Sequence, residues 1–211
     1  AVIFLTVAAI QARADVLFES GILGPTGMTW DDLLAGNVGG TNISSVVFTG
    51  VRFQLQQPAV TTQIGGHFLG RSGSNPIGDD SFFGAIVSLT DENDFPDSGN
   101  LTTPDVLGHT LLGFPSRSAE VFGELNIHLN PGWYGLIFGG GLFGATAEGV
   151  ALRNNPDIGG PSYIAHQPGA GWFDLSDLSD AIKFVDHRFV VLGNSVPEPS
   201  TLRLTPCFVV V

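Results

Sequence analysis

Residues 46–55, "VVFTGVRFQL", decide the fold class. One alternate set in this stretch is apolar or β-branched and comprises Val47, Thr49, Val51, Phe53 and Leu55. The other set carries the polar groups and comprises Phe48, Gly50, Arg52 and Gln54. Because successive side chains of a strand point to opposite faces, this period of two predicts a strand of an antiparallel sheet that lies on a core.

Similar segments recur along the chain between turns rich in Gly, Pro, Asn and Asp. These further strand candidates lie at 16–22, 62–70, 82–90, 106–114, 124–130, 133–140, 162–167 and 183–193. About eight to ten strands at this spacing predict an all-β fold, an antiparallel β-sandwich that is jelly-roll-like. "NPGW" at 130–133 predicts a hairpin-type turn between two strong strands.

Helical patterns are scarce in this sequence. "MTWDDLLAG" at 28–36 predicts one short helix with Thr29 as its N-cap. "ATAEGVALRNNPD" at 145–157 predicts a weak helix followed by a turn. No internal repeat and no second domain is visible, so we predict a single sandwich domain over residues 15–193.

The charge balance limits the partners. The 211 residues carry a formal net charge of −12 and a single lysine, Lys183. Because phosphate contacts need clustered Lys or Arg, nucleic-acid binding is disfavoured. The single cysteine, Cys207, lies near the C-terminus, so we predict a domain that holds no disulfide.

The first residues have the composition of a secretory signal peptide. "AVIFLTVAAI" at 1–10 is apolar but too short to span a bilayer as a helix. "QARAD" follows and places Ala12 and Ala14 at the −3 and −1 positions of a small-x-small cleavage site. We therefore predict that residues 1–14 are a signal peptide whose charged start is missing. The alternative is an N-terminal core strand or helix.

The other end carries a short motif, "VPEPST" at 196–201. Its residues Val196, Pro197, Glu198 and Pro199 resemble the sorting signal of PEP-CTERM proteins. In that family, an apolar membrane-spanning run and a basic cluster follow the motif. Here the run is only "LRLTPCFVVV", which contains Arg203 and Pro206, so the tail at 194–211 is atypical or truncated.

The resemblance implies an exported protein that is secreted or held at the cell surface of a Gram-negative bacterium. It implies processing by an exosortase-type membrane protease, transient membrane contact through the tail, and an association with extracellular polysaccharide or biofilm. The body of the chain also resembles the all-β bodies of uncharacterised family members, which implies no activity.

An acidic loop, "DENDFPD", is the main candidate metal site. It places Asp91, Asp94 and Asp97 close together, and Ca²⁺ prefers several carboxylate and carbonyl oxygens. The alternative is a solvated acidic surface. We predict no other cofactor. A second acidic run, "DLSDLSD" at 174–180, allows the same two interpretations.

The remaining motifs favour structural interpretations. "GGGLFG" at 139–144 fits G-x-G-x-x-G, but without a surrounding βαβ pattern it indicates a glycine-rich strand end. No two histidines have a zinc-ligand spacing, no G-x-S-x-G occurs, and we assign no catalytic residue. Aromatic residues that are candidates for sugar stacking, with core packing as the alternative, are Trp30, Trp133, Trp172, Tyr134 and Tyr163.

Three hypotheses for function follow. The first is a non-enzymatic exported protein of the cell surface or extracellular matrix. The second is a carbohydrate-binding module, which exposed coplanar aromatic side chains would favour. The third is a hydrolase or a cupin-type metalloenzyme, which a cleft with converging His, Asp or Glu would favour.

Overall fold

The computed structural model describes residues 14–71, 81–175 and 186–196. Within these ranges the chain forms thirteen strands and one short helix. In chain order they are β1 (Asp15–Glu19), α1 (Trp30–Leu34), β2 (Gly40–Ile43), β3 (Phe48–Leu55), β4 (Ala59–Gly70), β5 (Ser81–Leu89), β6 (Val106–Gly113), β7 (Ala119–Glu124), β8 (His128–Leu129), β9 (Gly132–Gly139), β10 (Gly149–Leu152), β11 (Ser162–Gln167), β12 (Gly171–Asp174) and β13 (Phe189–Ser195). The all-β prediction is confirmed.

The strands form two antiparallel sheets. Sheet I has the order β1-β13-β4-β10-β2, and β7 and β8 also pair with the long strand β4. Sheet II has the order β12-β11-β3-β9-β5-β6. Most consecutive strands lie in opposite sheets, so the chain passes repeatedly between the two layers, as in a jelly roll. The predicted antiparallel sandwich is confirmed.

Strand β3 lies inside sheet II and has the predicted alternation. Val51, Phe53 and Leu55 are buried between the two sheets. Strand β4 contributes Ile64 and Phe68 to the same core from sheet I. Burying one such apolar side chain stabilises the fold by roughly 1.5–3 kcal/mol, so the two facing rows supply much of the driving force for folding.

The opposite face of β3, for which polar residues were predicted, is also covered. The loops at 90–105 and 140–147 pack over this outer face of sheet II. The second apolar cluster that forms there contains Phe48, Phe83, Ala85, Val87, Leu101, Ile137, Ala145 and Ile164. Arg52 therefore lies under a loop rather than in solvent, with its side chain 1% exposed.

The glycine-rich segment at 139–144 is a strand end and a turn. A Cβ on Gly139 would lie 2.3 Å from Cδ1 of Phe48 and 2.5 Å from Cζ of Phe83, so only glycine fits beneath these rings. Gly141 and Gly144 have φ angles of +73° and +89°, which L-residues with side chains rarely adopt. The strand β10 follows, and no helix begins here.

The helix predicted at 145–157 is therefore wrong. Residues Gly149–Leu152 form β10, which pairs with both β2 and β4. Val150 and Leu152 lie in an apolar cluster with Val38 and Leu69, while Ala151 faces the central core. Pairing on both edges and burial on both faces decide the conformation here, although Ala, Glu and Leu favour a helix.

Two further details differ from the predictions. The strand expected at 124–130 is divided between β7 and β8, although Leu125 and Leu129 are both buried as the alternation predicted. Thr61 lies opposite the break, where its amide donates to the carbonyl of Ile127. The "NPGW" turn joins β8 in sheet I to β9 in sheet II and does not form a hairpin.

Helix α1 begins after Thr29, as predicted. The Thr29 hydroxyl accepts a hydrogen bond from the amide of Asp32, and the Asp32 carboxylate accepts one from the amide of Thr29, which completes a capping box. Trp30 and Leu33 pack against the cluster that covers the outer face of sheet I. Within the described ranges, no helix is long and apolar enough to cross a membrane.

Candidate functional site

The acidic loop is held by its own backbone. Asp94 Oδ2 accepts hydrogen bonds from the amide and the hydroxyl of Thr90, at 2.7 and 2.8 Å, and Asp94 Oδ1 accepts one from the amide of Phe95 at 2.8 Å. The bond from the Thr90 amide is the main reason that the pKa of Asp94 is lowered. Asp91 Oδ1 accepts a hydrogen bond from the amide of Asn93 at 2.8 Å. These carboxylates act as local caps of a turn.

Asp97, the third aspartate of the loop, lies in a different environment. The amide of Asp97 donates to Asp105 Oδ2 at 2.9 Å, while the Asp97 side chain is exposed. Among the described residues, no three His, Cys, Asp or Glu side chains are grouped in a way that could hold a metal ion. The calcium site at Asp91, Asp94 and Asp97 stays a prediction, and ligation through Asp94 would compete with the backbone donors.

Arg52 anchors this loop from below. Its Nε donates to the carbonyl of Asp94 at 2.7 Å, and its Nη2 donates to the carbonyl of Asn93 at 3.3 Å. The centre of its guanidinium lies 4.3 Å from the centroid of the Phe95 ring, a cation–π geometry. The loop is therefore fixed to sheet II at two main-chain carbonyls and one ring.

The same guanidinium also joins three strands of sheet II. Its Nη1 donates to the hydroxyl of Ser162 on β11 at 2.9 Å and forms an ion pair with the carboxylate of Asp174 on β12. Asp174 is the first residue of the second acidic run. Asp177 and Asp180, the other two carboxylates of that run, lie outside the described residues.

A cleft of about 360 Å³ opens beside the anchored loop. It exists because β11 begins at Ser162, opposite Arg52, so that residues 53–55 at the end of β3 have no ladder partner on that side within the described chain. Loop 158–161 passes this free edge and forms one wall. We call this the Trp133 cleft, after the half-buried tryptophan that lines it.

The lining of the Trp133 cleft combines apolar and polar groups. Phe18 and Phe53 line its apolar side, with ring centroids 5.0 Å apart in a stacked arrangement. Trp133 and Gln54 are direct cross-strand neighbours, which places their side chains side by side on the outer face of sheet II. The polar lining residues Gln54, Glu92 and Asn93 are all exposed.

A separate polar network is buried under sheet I. The Tyr163 hydroxyl lies 2.6 Å from Asp157 Oδ1 and 2.7 Å from the carbonyl oxygen of His187, and burial raises the pKa of Tyr163. The His187 ring lies 2.9 Å from the carbonyl of Leu152 and 3.1 Å from the hydroxyl of Thr41. Burial lowers the pKa of His187 to about 4. Because the imidazole is inaccessible and already hydrogen-bonded, we interpret this network as structural.

The other histidines are dispersed over the fold. His67 is buried on β4, where Nδ1 lies 3.0 Å from Asn155 Oδ1 and Nε2 has no partner within the described chain. His166 stacks on Phe48, and His109 and His128 are exposed.

The predicted aromatic residues do not form one exposed face within the described ranges. Tyr134 and Tyr163 are buried, and Trp172 donates to the carbonyl of Ser98 at 3.2 Å. Trp30 packs with helix α1 on sheet I, and Trp133 lies on sheet II. Trp133 lies beside exposed polar groups in the cleft defined above, and Trp30 lines a separate cleft of about 290 Å³ with Asn42, Arg71 and Glu148.

The residues of the predicted processing sites lie at the borders of the described chain. Ala12 lies outside the described residues, and Ala14 directly precedes β1. Strand β13 extends two residues beyond Gly193 to Ser195, and the amide of Val196 donates to the carbonyl of Pro58 at 2.8 Å. Pro197, Glu198 and Pro199 lie outside the described residues.

Sequence reasoning missed the cleft. Its polar groups come from β3, β11 and the acidic loop, and only the sheet order brings them together. An arginine in the middle of an otherwise apolar strand was the available signal for a buried anchor. In the comparisons with known proteins, no protein-family model matches the chain and no curated protein matches it.

Proposed function

We propose that this chain is an exported, non-enzymatic protein of the cell surface or extracellular matrix of a Gram-negative bacterium. The observation that carries the proposal is the position of the Pro-Glu-Pro motif. The last strand ends at Ser195, Val196 makes the last described main-chain hydrogen bond, and the motif follows at once. The motif therefore stands directly after the last described strand in the sequence, as expected of a sorting signal that follows a folded domain.

The fold and composition support a role in binding or structure. The core is aromatic, and the Tyr163 and His187 side chains of the polar network are buried. A net charge of −12 keeps such a domain soluble and disfavours contact with anionic lipid surfaces. Because the Pro-Glu-Pro motif resembles the PEP-CTERM sorting signal, we also propose an exosortase-type protease as the processing partner. We do not propose the hydrolase or cupin hypothesis, because no observation on the described residues favours it.

Expression of the chain, with a start codon restored, in an exosortase-positive bacterium that makes exopolysaccharide tests this function. Fractionation should recover the protein in the outer surface or matrix fraction. In a strain lacking the exosortase, and in the Glu198→Ala variant, it should accumulate in the cell envelope. Pro104→Ala, at an exposed loop proline outside the motif, should behave as the unchanged protein. Retention of the unchanged protein in the cytoplasm would refute the proposal.

The carbohydrate-binding hypothesis is the second candidate. The Trp133 cleft favours it, because one aromatic side chain there lies beside three exposed polar side chains on a fixed scaffold.

A further inference from the structure

We propose that the Trp133 cleft binds a short stretch of an uncharged hexose polysaccharide. The choice of a polysaccharide as the ligand class rests on the proposed location in an exopolysaccharide matrix. The choice of this cleft, and of an uncharged sugar, rests on the geometry and charge of its described residues.

The shape of the cleft suits a sugar ring. A pyranose has an apolar face of C–H groups and a rim of hydroxyls that both donate and accept hydrogen bonds. The cleft offers the matching arrangement, with Phe18 and Trp133 as apolar surface, the buried Phe53 stacked on Phe18, and Gln54 and Asn93 as amides that both donate and accept. Its volume of about 360 Å³ lies within the usual range for small-ligand sites.

The polar groups needed for recognition are not used up by the fold. The Asn93 main chain holds the loop, through its amide to Asp91 and its carbonyl to Arg52, so the carboxamide stays available. Gln54 accepts one hydrogen bond from Gln56 at 2.6 Å and keeps its own NH₂ group. The Glu92 carboxylate makes no hydrogen bond within the described chain and supplies acceptors for sugar hydroxyls.

The charge in the cleft selects against acidic sugars. Arg52 is the only cation among the described residues that line it, and its guanidinium is engaged by Asp174, Ser162 and the loop carbonyls. The exposed carboxylate of Glu92 and the net charge of −12 would repel a uronate. A neutral hexose carries no charge and is therefore not repelled by the negative potential of the chain.

One side of the cleft is held in shape before any ligand arrives, because Arg52 fixes the acidic loop through the carbonyls of Asn93 and Asp94. Such preorganisation of the loop reduces the ordering cost of binding. The opposite wall at 158–161 contains Gly159 and Gly160, with φ angles of +71° and +67°. No atom lies within 4 Å of the Cβ position at either glycine, so this wall presents bare backbone to the opening.

Isothermal titration calorimetry on the full chain tests the proposal, with cellohexaose and laminarihexaose as neutral probes and hexagalacturonate as the acidic one. At least one neutral probe should bind and the acidic probe should not. Gln54→Ala and Asn93→Ala should each weaken binding by about two- to tenfold, as expected for a lost hydrogen bond. Trp133→Ala should weaken it by about tenfold or more.

Matched exposed residues outside the cleft serve as controls. Gln167→Ala and Asn126→Ala should bind as the unchanged protein does. Because Gln54 and Asn93 are exposed, their variants test the site even if Trp133→Ala fails to fold. The proposal is overturned if neither neutral probe binds, or if the Gln54 and Asn93 variants bind as tightly as the unchanged protein. Either result leaves the export proposal unaffected.

A peptide is the alternative occupant, since the free edge of β3 can accept an added strand. A hexapeptide of alternating Val and Thr tests this alternative. If the hexapeptide protects the amides of residues 53–55 from hydrogen exchange and no glycan binds, the cleft is a peptide site and the proposal is overturned. A third outcome is that the chain binds only the cationic chitosan hexamer and loses it in 0.5 M NaCl. Because the Debye length at that salt concentration is about 3–4 Å, such binding would reflect charge attraction alone and would also overturn the proposal.

Discussion

The buried guanidinium of Arg52 forms an ion pair with the partly buried carboxylate of Asp174, which lies two strands away in sheet II and 122 residues later in the chain. The same guanidinium holds the acidic loop through two main-chain carbonyls. One side chain thus connects the strands of sheet II with the loop that borders the Trp133 cleft. Its removal should affect stability and the cleft together.

Arg52→Ala should lower the free energy of unfolding by about 3 kcal/mol, because it leaves a partly buried carboxylate and two loop carbonyls without their donor. Urea denaturation at pH 7 measures this loss. Arg71→Ala provides the control, since the Arg71–Glu148 pair is 61% and 48% exposed and should contribute about 1 kcal/mol or less. Equal losses in the two variants would contradict the anchoring role of Arg52.

The capping role of Asp94 predicts an acid-dependent loss of stability. Its pKa is lower in the folded chain than in the unfolded chain, so its contribution is complete above the unfolded value of about 4 and is lost as the pH falls through the folded value. Melting temperatures recorded between pH 6 and pH 2.5 should fall less steeply for Asp94→Asn than for the unchanged chain.

Asp97→Asn is the matched control for that experiment, because the Asp97 carboxylate is exposed and caps none of the described amides. Its acid profile should follow that of the unchanged chain. A flattened profile in both variants would show a general effect of acidic charge and contradict a specific cap at Asp94.

The hydrogen bonds of Asp94 predict how the acidic loop responds to calcium. The two oxygens of Asp94 already accept three hydrogen bonds, so we expect calcium, magnesium and sodium at matched ionic strength to raise the melting temperature equally through screening. Differential scanning fluorimetry on the full chain measures the three effects. A larger rise with calcium that disappears in Asp94→Asn would establish a calcium site at the loop.

The buried histidines predict a second, higher pH window. The pKa of His187 is lowered to about 4 in the fold, so the unfolded chain takes up a proton below its ordinary value of 6.5 and stability falls as the pH drops from 6.5 toward 4. One such group contributes at most about 1.4 kcal/mol per pH unit. Burial also lowers the pKa of His67, which acts in the same direction.

Urea denaturation at pH 7, 6, 5 and 4.5 measures this slope. His187→Gln should reduce it, whereas His128→Gln, at an exposed position, should leave it unchanged. If His187→Gln does not fold, NMR titration of the imidazole in the unchanged chain gives the same information. Protonation of His187 near pH 6.5 would contradict its burial.

Local patterns in the sequence predict local structure well in this protein. The alternation at 46–55 predicts β3 and its core face, and Thr29 as an N-cap predicts the start of α1. The strand β10 was missed because Ala, Glu and Leu favour a helix locally, while pairing with β2 and β4 decides the outcome.

The candidate site could not be predicted in the same way. Gln54 and Trp133 are 79 positions apart in the sequence and become neighbours only through the pairing of β3 with β9. The partner of Arg52 depends on the order of β12, β11 and β3 in sheet II. Such relationships depend on long-range topology, for which a period-two pattern carries no information.

The mass of the mature chain recovered from the extracellular matrix tests the central claim most directly. Intact-mass spectrometry of protein from an exosortase-positive host should give a chain that begins at Asp15 and ends within or next to the Pro197–Glu198–Pro199 motif, with its tail removed. A recovered chain that still carries the residues at 1–14 and at 200–211 would contradict export and motif-directed processing.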